Sequence, residues 1–86
     1  MIYYKFGYKF IAPSKTEHKK YDVYDKTDKK IASFGDNRYN HYHDKIGYYK
    51  HLDTHDTARR RLYKMRHEKD RHNYQSAGWF ADRFLW

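Results

Sequence analysis

Residues 21–34 read Tyr21-Asp22-Val23-Tyr24-Asp25, then Lys26-Thr27-Asp28-Lys29, then Lys30-Ile31-Ala32-Ser33-Phe34. The two outer runs carry β-branched and aromatic residues, and the middle run is polar with turn-forming chemistry. This pattern predicts a β-hairpin. In the second strand Ile31 and Ser33 share one face and Ala32 and Phe34 the other. In the first, Tyr21 and Val23 oppose Asp22 and Tyr24. The alternation is imperfect, so the pairing register is not legible from the residues.

Upstream, Ile2-Tyr3-Tyr4-Lys5-Phe6 and Tyr8-Lys9-Phe10-Ile11 each read as a short strand, broken by Gly7. Pro13 to Lys20 is polar and reads as a loop. Downstream, Gly35-Asp36-Asn37 ends the strand region. Residues 38–53 are rich in Tyr and His and show no clear period, which predicts an ordered loop with one helical turn. A helix is predicted from about residue 54 to 69, with Asp53 or Thr54 as N-cap and Asp56 in the first turn. Ala58, Leu62 and Met65 recur at i, i+4 and i+7, an apolar stripe expected to face the core. Ser76 caps a second, shorter helix holding Trp79, Phe80, Arg83 and Phe84. The fold class is therefore α+β. A small antiparallel sheet (1–35) is followed by a Tyr/His-rich loop (36–53), then a long basic helix and a short aromatic C-terminal helix (54–86). All of it forms one small domain, residues 1–86.

At 86 residues the core is necessarily small. There is no cysteine, so neither a disulfide nor a thiolate metal site supports it. Ala, Leu, Ile and Val are scarce while aromatics reach 21%, so Tyr, Phe and Trp must build the interior. Phe80 and Phe84 are the expected closing residues. Trp86 is the aromatic expected to reach outward. The start does not read as a secretory signal, and no run is long enough to span a membrane.

The formal net charge is +8, which favours acidic partners: nucleic acid, anionic lipid or an acidic protein surface. Arg59-Arg60-Arg61 lies on the long helix, with Lys64, Arg66, His67, Lys69 and Arg71 beyond. Three consecutive helical residues wrap more than half the circumference, at about 100° each. They cannot all face one duplex. Arg59 is assigned an internal ion pair with Asp53 or Asp56, and Arg60 a surface position.

His41-x-His43, His51-x3-His55 and His67-x4-His72 raise the question of a metal. No cysteine and no zinc-protease pattern accompanies them, so they read as ordinary hydrogen-bonded histidines. No metal or cofactor is assigned. Ser33 and Ser76 sit in no nucleophile motif, and the single glycines form no phosphate-cradling loop. The chain is therefore not read as an enzyme.

From Lys19 onward the chain resembles a family of small proteins of unknown function encoded by large DNA viruses and some other viruses. The matching residues are Lys20-Tyr21-Asp22-Val23-Tyr24, Phe34-Gly35, Tyr39 and Tyr42. They continue through His51-Leu52-Asp53, His55-Asp56, Arg59-Arg60, Tyr63, Arg66-His67, Ser76-Ala77-Gly78-Trp79-Phe80 and Phe84-Leu85-Trp86. The resemblance implies a virion-associated component, made in the host cytoplasm, and carries over no catalytic residue.

The functional expectation is a viral structural protein, a minor capsid or cement component holding larger capsid proteins together. The alternative is a basic viral nucleic-acid-binding protein, and the third reading a membrane-proximal virion protein. The expected partners are other capsid proteins, with weak, non-specific nucleic-acid contact beside them. Expected interaction residues are Tyr3, Tyr4, Arg60, Lys64, Trp79 and Trp86. Expected structural residues are Asp53, Asp56, Arg59, Leu62, Met65, Phe80 and Phe84.

Overall fold

A computed structural model describes residues 4–86. Ile2 and Tyr3, part of the first expected strand, lie outside the described residues. Four strands form an antiparallel meander in chain order: β1 (Tyr4–Phe6), β2 (Lys9–Pro13), β3 (Tyr21–Tyr24) and β4 (Lys30–Phe34). Gly7 turns the first hairpin with φ +61°, a left-handed backbone that glycine adopts without penalty. Ile11 pairs Val23 and Tyr21 pairs Phe34. The register shifts between Val23 and Tyr24, so Ala32 sits opposite Val23 while Lys30 faces Tyr24. Ile31, beside this irregularity, is exposed.

One face of the sheet carries Ile11, Tyr21, Val23 and Phe34, all buried. α2 (Ala77–Phe84) packs across it. Phe34 stacks against Phe80 at 5.8 Å and Phe84 at 6.2 Å between ring centroids. Phe6 meets Phe84 edge-on at 5.6 Å. Each fully buried Phe contributes roughly 1.5–3 kcal/mol of transfer free energy. The Ser76 hydroxyl caps α2 by accepting from the Trp79 amide.

The Tyr/His-rich segment is held by long-range backbone bonds. A helix leaves its last carbonyls unpaired. Tyr42 and His43 N–H groups donate to the Leu85 carbonyl, and Lys45 N–H donates to that of Phe84. The segment thereby caps the end of α2. A buried Asp44 orders the next turn, accepting from the amides of Ile46 and Tyr49 at 2.8 Å each and from the Tyr21 hydroxyl. A 3-10 turn at Lys50–Leu52 follows.

The long basic helix is replaced by a shorter one. α1 spans Thr57–Arg66, 10 residues, and its N-cap is Asp56, whose carboxylate accepts from the amides of Ala58 and Arg59. It starts late because residues 54 and 55 are tied back: their N–H groups donate to the carbonyls of His41 and Tyr42. His55 also has φ +53°, outside the helical basin. At the other end His67 leaves the helix, and Arg71 folds back so that its Nε donates to the Lys64 carbonyl at 3.3 Å. A second 3-10 turn, Asp70–His72, leads into α2.

Candidate interaction surface

No residue of α1 is fully buried. The stripe expected to face the core does the opposite: Leu62 is 55% and Met65 67% exposed. The face that docks is set by Tyr63. Its ring lies parallel to that of Trp86, with 4.3 Å between centroids and 4° between planes, and its other neighbour is His67. Burial raises the Tyr63 phenol to about 12, helped by the negative charges of Asp82 and Asp70. Trp86, expected to reach outward, is thus turned back onto the protein.

Arg60 keeps the surface position expected of it but bonds back to the protein, while Arg59 lacks the ion pair expected of it. Arg60 Nε donates to the Trp86 carbonyl at 2.7 Å, and its guanidinium lies 5.2 Å from the Tyr42 ring centre. Lys64 pairs with Asp82 at 2.7 Å, so this expected surface contact is internal. Arg59 is exposed and does not pair with Asp53 or Asp56, because those carboxylates are already engaged. Trp79 is half-buried between Phe6, Phe80 and Tyr74, with Arg83 near its face. Tyr4 rests its ring edge on Phe84 and keeps 36% of its surface exposed.

A trough lies between α1 and residues 35–40. Its outer part, about 540 Å³, is lined by Tyr39, Asn40, Arg59, Leu62, Arg66 and Trp86. An inner cleft of about 300 Å³ shares four of those residues and reaches Lys20, Gly35 and Tyr63. Asp36 lies on its wall, but Arg38 grips that carboxylate through two bonds of 3.0 and 2.7 Å. Hydrogen bonding to Arg38 holds the Asp36 carboxyl far below its usual range. The trough therefore offers cations (Arg59, Arg66) beside apolar and aromatic surface (Leu62, Tyr39, Trp86). Gly35, with φ +76°, lets Leu85 and Lys20 approach: a Cβ there would meet them at 2.9 and 3.0 Å.

Beneath the trough lies a buried polar chain. Lys20 Nζ donates to the Tyr39 carbonyl at 2.9 Å and to His41 Nδ1 at 2.7 Å. His41 Nε2 then carries the proton and donates to Asp53 Oδ1 at 2.6 Å. Burial lowers the His41 pKa, the Lys20 charge lowers it further, and the Asp53 contact only partly opposes them. The ring is neutral. Burial pushes the Asp53 carboxyl up, but the Asp44 amide and His41 outweigh it and hold the pKa below its ordinary value. Among the described residues no buried side-chain nitrogen or oxygen lacks a partner. No family model, curated protein or solved structure matches the chain.

Sequence reading missed Tyr39, Asn40 and Arg66 as neighbours of one hollow. Nothing local signals it, because its lining comes from residues 39–40, 59–66 and 86, far apart in the chain.

Proposed function

We propose that the protein acts by binding: a viral structural component, carried in the virion as a minor capsid or cement protein, without catalytic activity. Its partner is an acidic segment of a larger capsid protein, seated in the trough beside α1. The observation that carries this reading is the exposed pairing of Leu62 with Arg59 and Arg66 along one hollow. Apolar surface flanked by guanidinium forks suits a protein chain with carboxylates around a hydrophobic residue. Many copies in one particle would make modest affinities sum.

A continuous run of free cations, as a duplex would need, is not what α1 offers, since Arg60 is engaged with the Trp86 carbonyl and Lys64 with Asp82. Among the described residues no helix is long and apolar enough to cross a membrane.

The test is incorporation into purified particles, measured as stoichiometry by mass spectrometry. Leu62→Glu with Arg66→Glu alters only exposed side chains, so the melting temperature should hold while incorporation falls at least tenfold. Unchanged incorporation, or loss of the protein on nuclease treatment of the particle, overturns the reading. Steep loss of DNA affinity with salt, on the order of one logarithmic unit per phosphate contact, would replace it with nucleic-acid binding.

A further inference from the structure

His43, Asp53 and His55 come from two segments that the fold zips together. His41 and Asp53 form a parallel bridge. Around it, His41 N–H donates to the Leu52 carbonyl at 3.2 Å, and Thr54 and His55 N–H donate at 2.9 Å each to the carbonyls of His41 and Tyr42. The result is a compact donor set. His43 Nδ1 lies 3.1 Å from Asp53 Oδ2 and 3.1 Å from His55 Nε2. His55 Nε2 lies 3.9 Å from Asp53 Oδ2.

We propose that His43 Nδ1, His55 Nε2 and Asp53 Oδ2 form a binding site for a divalent transition ion of the zinc type. This inference is independent of the docking reading. The geometry fits the ion. Bonds of about 2.0–2.1 Å in tetrahedral array place ligand atoms about 3.3 Å apart. The three observed separations bracket that value, so small side-chain rotations suffice. Two imidazoles and one carboxylate suit zinc and its neighbours, whereas calcium and magnesium prefer all-oxygen shells.

The surroundings are those of a ligand held in place. The second oxygen of Asp53 accepts from His41 Nε2 at 2.6 Å and from the Asp44 amide at 2.7 Å. The carboxylate is thereby fixed with Oδ2 turned toward the two histidines. Such outer bonds orient metal ligands and are worth 10–100-fold in affinity. Lys20 fixes the tautomer of His41 in turn. His55 is held at φ +53° by its bond to Tyr42, a backbone state that side chains seldom adopt. The Asp53 side chain is 6% exposed, while those of His43 and His55 are 43% and 61% exposed. An ion can enter from solvent, and the fourth position is open to water or to a partner's side chain. Binding clamps the segment capping α2 to the segment that starts α1.

The experiment titrates the full chain, freed of metal by chelation, with zinc chloride in a calorimeter, and with cobalt(II) followed by visible absorption. One ion per chain is expected, with cobalt bands of a four-coordinate centre and a raised melting temperature that a chelator reverses. His43→Ala and His55→Ala change exposed side chains, so both variants should fold, and each should lose at least about tenfold in zinc affinity. His51→Ala and His72→Ala, outside the cluster, should bind as the parent does. The proposal is overturned if the parent takes up no stoichiometric ion. It is equally overturned if His43→Ala and His55→Ala bind unchanged, or if His51→Ala or His72→Ala loses as much as they do.

Discussion

The ring of Trp86 lies flat on that of Tyr63, 4.3 Å away and 4° from parallel, and this contact positions α1. α1 is also tied to the body by Arg60, which bonds the Trp86 carbonyl and covers the Tyr42 ring, by Lys64 to Asp82, and by the Arg71 bond to the Lys64 carbonyl. Offset aromatic pairs add about 0.5–1.5 kcal/mol beyond area burial. Trp86→Ala should therefore cost about 2–3 kcal/mol in all, and the loss should be local. Amide exchange should accelerate through Thr57–Arg66 while the amides of β2 and β3 keep their protection. Uniform loss of protection across sheet and helix would show that α1 is not a separable unit.

Arg60 and Arg59 test the same region through charge. Arg60 donates to a backbone carbonyl and covers the Tyr42 ring, while Arg59 lines an open trough. A charge-assisted bond at an exposed site contributes about 1 kcal/mol, and a free surface charge stays within about 0.5 kcal/mol. Arg60→Ala should lower the melting temperature by a few degrees, and Arg59→Ala should leave it nearly unchanged. The reverse order would restore the internal ion pair that the sequence suggested for Arg59.

The sheet was legible because its signals are local. The runs at 21–24 and 30–34 carry strand chemistry, and the polar stretch between them carries turn chemistry. The packing of Phe80 and Phe84 follows from the shortage of aliphatic residues. What was not legible depends on partners distant in the chain. Leu62 and Met65 have helical spacing, but the contact that orients α1 arrives from Trp86 and selects Tyr63 instead. Residues 41–45 show no period because their bonds go to the end of α2 and to residues 52–55. The histidines mislead in the same way. Spacing pairs His51 with His55 and His41 with His43, whereas the fold joins His43 to His55 across Asp53.

Gly78 sits in the first turn of α2. A Cβ there would meet Asp70 Cβ at 2.7 Å and the Asp70 carbonyl carbon and oxygen at 3.1 Å each. Helix propensity alone makes Gly78→Ala favourable by up to about 1 kcal/mol. The clash is with backbone as well as side chain and forces the Asp70–His72 turn away, at a cost of about 1–3 kcal/mol. The net effect should be destabilising, read as a lowered midpoint in urea with unchanged slope. A raised midpoint would mean that the turn yields freely.

Lys20 makes stability depend on alkaline pH. Burial lowers its ammonium pKa to about 8, although Asp44, Asp36 and Asp53 attract the charge. Unfolded lysine titrates near 10.4. Between those values the unfolded chain holds a proton that the folded chain has released, so stability rises with pH. The gain is on the order of 1–3 kcal/mol. Tyr63 acts in the other direction. Burial raises its phenol to about 12, so stability is lost once the unfolded tyrosine ionises, above about pH 10. Tyr21, raised by burial and by its bond to Asp44, adds to that fall. The groups facing the Lys20 ammonium are the Tyr39 carbonyl and the neutral His41 ring, and neither changes charge in this range. The melting temperature should climb from about pH 8, peak near about pH 10, and then drop. Lys20→Met should abolish the climb and keep the drop, whatever its absolute stability. Thermal melts of both proteins across this range check the shape, and a climb that persists in the variant would assign it to another group.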